Sequence, residues 1–147
     1  MSMNRRRAKG RRESGSFVAL PHAVLESEAY SKLSGWSVRL LLDLYSQYRG
    51  HNNGDFSMVW NFMNGRGWRS KDTLYRAREE LTDNGFIVLT RQGGKNQCSL
   101  YAVTWQPVDE CGGKLDWPPS PVALGYWKRG RPPLLESVPR IRGTLAR

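Results

Sequence analysis

The sequence predicts a mostly α-helical fold closed by a small antiparallel β-hairpin, an α+β arrangement, and three observations predict it. Two capped helical segments, opening at Ser57 and Ser70, are separated only by the turn Asn64-Gly65-Arg66-Gly67. After the second segment, Asn84-Gly85 supplies a left-handed helix stop. Residues 86–91 and 97–105 then read as two strands around Gln92-Gly93-Gly94-Lys95-Asn96, a loop suited to a hairpin tip.

The elements follow in order. Residues 1–15 form an arginine-rich arm expected to be disordered alone. Residues 16–105 are the domain, with Phe17 to Leu20 as a short apolar lead-in. Pro21 suits the first turn of a helix because its missing N–H costs nothing there. Val24, Leu25, Ala29, Tyr30 and Leu33 lie near helical spacing, with a break around Ser27. Ser34 caps a second helix, whose buried face is Trp36, Leu40, Leu41, Leu44, Tyr45 and Tyr48. Gly50 ends it, and His51-Asn52-Asn53-Gly54 is a run of turn formers. Asp55-Phe56 is expected as an extended stub. Ser57 caps a helix bearing Val59, Trp60, Phe62 and Met63. Ser70 caps the helix at 71–84, with Leu74, Ala77 and Leu81 as its inner stripe. The 106–147 extension holds seven of the eight prolines, which exclude regular helix or central strand. It is expected to be a flexible tail, with Trp117, Tyr126 and Trp127 as candidate tethers.

A chain of 147 residues suits one domain. Mean hydropathy is −0.61 and 24% of residues are charged. No apolar run approaches the roughly 20 residues a membrane span needs. The basic start is followed by no apolar stretch, so a secretory signal is not expected and a cytoplasmic location is. Cys98 and Cys111 lack metal-ligand spacing to each other or to His22 and His51, so no zinc site is expected. Cys98, in a predicted strand, reads as a small buried apolar residue. The net charge of +10 is uneven: residues 1–15 carry +5, residues 112–147 carry +5, and residues 16–111 sum to zero. Basic blocks of this kind attract polyanions through phosphate neutralisation and counterion release.

Two helices joined by a short glycine turn stand at a steep angle, so the second projects with its amino end foremost. Free N–H groups and the helix dipole favour phosphate there. Arg69 and Arg76 are the candidates for base contacts, because a guanidinium matches the major-groove edge of guanine. Ser70, Lys71 and Thr73 suit phosphate, Arg66 is a further DNA-binding candidate around the same helix end, and Tyr75 suits a thymine methyl or a phosphate. Asp72 can engage Arg76 at i, i+4. Asp72, Tyr75, Arg76, Glu79 and Asp83 form the outward face, and the two distal acids limit contact to the first two turns. Arg91, Lys95 and Asn96 lie near the hairpin tip and suit a neighbouring groove or backbone.

The features LS at 33–34, NNGD at 52–55, WRSKDTLYRAREELTDNGFI at 68–87 and YAVTW at 101–105 resemble the winged helix-turn-helix family, particularly small members on plasmids and prophages. The resemblance covers about half the chain. It implies recognition of double-stranded DNA by the helix at 71–84 and the wing at 91–97, in transcription control or replication initiation. An alternative is a protein-binding adaptor or anti-defence protein docking a nucleoprotein complex through exposed aromatics such as Trp68, Tyr75, Trp117 and Trp127. A third reading is RNA binding by the arm, whose Arg5, Arg6, Arg7, Arg11 and Arg12 look like the arginine-rich motif of phage antitermination peptides. The arm's arginines are equally candidates for DNA. No motif with a catalytic mechanism is present, so neither an enzyme, a cofactor nor a small-molecule ligand is expected. A homodimer is expected if the target is a palindrome, and a monomer binding through domain plus tails is the equal alternative.

Overall fold

The computed structural model describes residues 15–129. Five α-helices and one hairpin follow in order: α1 His22–Leu25, α2 Glu28–Ser31, α3 Gly35–Tyr45, α4 Trp60–Gly65, α5 Lys71–Asp83, β1 Ile87–Arg91 and β2 Leu100–Val103. None of the described helices is long and apolar enough to cross a membrane.

Short polar side chains set the helix ends. Ser27 divides α1 from α2: its hydroxyl donates to the Val24 carbonyl at 2.7 Å and accepts the Tyr30 N–H at 3.1 Å. Ser34 caps α3 and Ser70 caps α5, each accepting the N–H three residues on at 3.2 Å. Leu74, Ala77 and Leu81 are the buried stripe of α5, which packs on α3 and β1. Gly85 ends α5 at φ +81, where an L side chain is strained.

Two helical expectations need correction. The helix expected from Ser57 begins only at Trp60, with Val59 as its uncapped N-cap. The reason is Gln47, whose amide accepts the Ser57 N–H at 2.9 Å and donates to the Ser57 carbonyl at 2.8 Å, holding residue 57 out of the helix. Only Met63 of α4 is fully buried. Trp36 is 50% exposed rather than buried; near the start of α3 its ring lies against Trp68, centroids 5.3 Å apart.

The strands pair antiparallel with Ile87 opposite Val103 and Leu89 opposite Tyr101, and the register slips between Leu89 and Arg91. They are shorter than expected. Cys98 falls outside β2 and is half-buried, not a strand-core residue. Phe56 exchanges backbone hydrogen bonds with Tyr101 at 3.1 and 2.9 Å, so the expected stub joins β2.

Packing does not stop at Trp105. The hairpin face turned away from the main core buries Val88 and Ala102 against Val108, Trp117 and Tyr126. The stretch 106–129 is therefore a packed layer, not the flexible tail its prolines suggest. Proline forbids ladder and helix but does not prevent aromatic side chains from burying area. Backbone bonds secure the layer: Asp116 and Trp117 N–H donate to the Thr90 carbonyl at 2.9 and 3.1 Å, and Gly125 N–H donates to Thr104 at 2.8 Å. Asn53 ties the turn before the stub to this layer. Fully buried, it accepts the Val103 N–H at 2.9 Å, and its amide NH2 reaches the carbonyls of Val103, Gln106 and Pro107 at 3.0, 3.1 and 2.9 Å. Most of the arm at 1–15 and the extension beyond residue 129 lie outside the described residues.

Candidate nucleic-acid interface

The turn between α4 and α5 is cross-linked to α3. Asp43 is buried and accepts the Trp68 indole N–H at 2.8 Å and the Arg66 Nε–H at 2.9 Å. Arg39 donates to the Arg66 carbonyl at 2.6 Å. Gly67 has φ +106, and a Cβ there would lie 2.5 Å from the Arg39 guanidinium. Trp68, wholly buried, bonds to Asp43 and lies against Trp36, both on α3. The amino end of α5 therefore leaves a rigid support, and a rigid support limits the entropy lost when a ligand is bound.

That end faces solvent. Ser70, Lys71 and Asp72 are exposed and Thr73 is half-buried. The Ser70 hydroxyl is used in capping. The Lys71 ammonium stands 5.7 Å from the centre of the Trp60 ring. Arg69 is exposed and donates to the carbonyls of Asn64 and Trp68 at 3.1 and 3.2 Å. Tyr75 and Arg76 lie on the exposed face with Asp72, Glu79 and Asp83, as the wheel of α5 requires. Arg76 pairs with Asp72 at 2.9 Å, both largely exposed. Such a pair is worth only a few tenths of a kcal/mol, so Arg76 can be released to a phosphate or base. Arg66 differs: bound to Asp43 and lying over the Phe62 ring at 5.6 Å, it is also a brace for the turn.

Lys95 and Asn96 are exposed at the hairpin tip, which Gly94 and Gln97 close with two backbone bonds of 2.8 and 3.2 Å. Arg91 is not at the tip. It is half-buried and donates to the Cys98 carbonyl through Nη2 at 2.8 Å, bracing the hairpin from below. Arg5, Arg6, Arg7, Arg11 and Arg12 lie outside the described residues.

Two cationic side chains beside this surface escaped the sequence reading. Arg39 sits at the back of the turn, over both Trp36 and Trp68. Arg78 lies over the Tyr75 ring at 5.2 Å. With Tyr101, Arg78 lines a groove of about 360 Å³ between α5 and the hairpin. Burial raises the Tyr101 phenol pKa, although Arg78 opposes this. The i, i+3 spacing of Tyr75 and Arg78 was the available signal. The expected set of exposed aromatics also changes. Trp68, Trp117 and Trp127 are core residues, and of the four only Tyr75, 45% exposed, offers its ring to a partner. Each of the three tryptophans sits where chain segments distant in sequence converge.

Among the described residues no group of three or more His, Cys, Asp or Glu side chains could hold a metal ion. Comparison with protein-family models, with curated proteins and with solved structures returned no match.

Proposed function

We propose that this chain is a non-enzymatic, winged helix-turn-helix protein that binds double-stranded DNA, serving transcription control or replication initiation on a mobile element. The observation that carries the reading is the amino end of α5: capped by Ser70, open to solvent, flanked by Arg69, Lys71 and Arg76, and braced from behind by Asp43. Free N–H groups, the helix dipole and three exposed cations lie close together there, the chemistry that phosphate selects. Glu79 and Asp83, further along the exposed face, confine nucleotides to the first turns. Lys95 and Asn96 at the tip supply a second, smaller contact.

The test is fluorescence anisotropy of the full chain with a labelled pool of random-sequence 30-mer duplexes across a salt series. Log affinity is expected to fall linearly with log salt, and Lys71→Ala to reduce the slope by about 1. In a selection from the same pool, Arg69→Ala or Arg76→Ala relaxes the sequence preference. Absence of duplex binding at 50 mM salt, or binding indifferent to all three substitutions, removes the reading.

A further inference from the structure

We propose a second site, beside the amino end of α5, for unpaired nucleotides of a single strand; it rests on the duplex reading only for where that strand comes from. The observation is a strip of contacts across α3 and α4 in which two neighbouring guanidinium groups, those of Arg39 and Arg66, are flanked by two rings, Trp36 and Phe62. Trp36 and Phe62 are 50% and 41% exposed. The Arg39 guanidinium lies 5.7 Å from the Trp36 ring centre, and that of Arg66 lies 5.6 Å from Phe62. The 2.6 Å bond from Arg39 to the Arg66 carbonyl joins the two pairs. Beyond Arg66 only Gly67 and the buried Trp68 separate the strip in sequence from the exposed Arg69 and Ser70 at the α5 end.

Charge and shape select the occupant. Asp43, the acid beneath the strip, is buried and shared by Arg39 and Arg66, so two guanidinium groups answer one carboxylate. The surface is left cationic, with a flat apolar ring at each end of the charged pair. Bases stack on such rings whatever their sequence, and phosphates meet the intervening cations. A folded protein partner would select contiguous apolar area instead, and guanidinium groups interrupt it here. Each ring has a packing contact: Trp36 lies against Trp68, and Phe62 lies under the Arg66 guanidinium. A duplex gripped at α5 with one strand peeled along α3 is the arrangement needed where DNA opens.

The experiment compares the full chain with the Trp36→Ala/Phe62→Ala double variant, which keeps every charge, so the arginine-rich arm contributes equally to both. The probes are labelled dT20, the random 30-mer duplex pool and a labelled Glu/Leu 20-mer peptide; a thermal melt verifies folding. The expected result is a loss of about tenfold or more in dT20 affinity, with duplex affinity changed less than twofold. Retention of dT20 affinity in the double variant overturns the proposal. Ring-dependent binding of the acidic peptide with dT20 unaffected also overturns it, and assigns the strip to a protein segment. Ring-dependent dT20 binding in a chain that ignores duplex keeps this site and removes the duplex reading instead.

Discussion

Glu80 of α5 completes the amino-terminal cap that Ser34 begins on α3. Its carboxylate accepts the Ser34 N–H at 3.1 Å, the Ser34 hydroxyl at 2.8 Å and the Ser37 hydroxyl at 2.5 Å. In a capping box the acid sits three residues after the cap and returns a bond to the cap's own N–H. Here Ser37 holds that position, and the acid comes from another helix. The cap of α3 and the packing of α3 on α5 are thus one interaction.

Glu80 therefore links stability to pH. Burial raises its pKa, but bonds from Ser37 and Ser34 outweigh burial and the net shift is downward. A folded value below the unfolded one means stability present above about pH 4.3 and lost as pH falls through the folded value. Glu80→Ala is expected to cost about 1–2 kcal/mol at pH 7. Against Glu80→Gln, which cannot titrate, the wild-type advantage in Tm should shrink steadily between pH 5 and pH 3. A constant difference across that range would contradict the assignment.

Asp43 holds the turn through unlike donors, so its substitutions should separate. Asp43→Ala strands the Trp68 indole N–H and unpairs Arg66, at about 2–4 kcal/mol. Asp43→Asn retains an acceptor for Trp68 but loses the charge and turns an NH2 donor toward the Arg66 Nε–H, at about 1–2 kcal/mol. Urea midpoints of the two variants measure this, and equal losses would mean the indole bond contributes nothing.

The layer at 106–129 is expected to be part of the cooperative unit. Trp117 is buried against Val88 and Ala102, so Trp117→Ala should cost about 3–5 kcal/mol. Gly85 reports the same contact independently: a Cβ there would meet the Tyr126 carbonyl oxygen at 2.6 Å. Gly85→Ala should therefore destabilise by more than the roughly 1 kcal/mol its positive φ alone costs. Thermal melts that leave both variants at the wild-type Tm would show the layer to be dispensable.

Cys111 should be slow to alkylate. Burial, then Asp55 and Asp109, push its thiol pKa up to about 11, against a smaller opposing effect from Lys114. At pH 8 only about one thiol in a thousand is the reactive thiolate. Peptide mapping after iodoacetamide treatment should show Cys111 modified far more slowly in native than in urea-unfolded protein. Its native rate should climb about tenfold per pH unit up to pH 10.

The residues at 34, 70, 74, 77, 81 and 84–85 were legible in the sequence because caps, stops and amphipathic stripes obey spacings of three and four residues. Together with the hairpin loop they determined the α+β class and the candidate end of α5, and the wheel of α5 correctly turned Tyr75 and Arg76 outward. Only the tertiary structure decided what supports that end. The partners of Ser34, Trp68 and Val103 lie 46, 25 and 50 residues away, beyond any local period. Exposure of Trp36, burial of Trp117, retreat of Arg91 from the tip and packing of the proline-rich layer share this origin. Local chemistry chooses a residue's backbone shape, whereas its neighbours across the core choose whether it faces water.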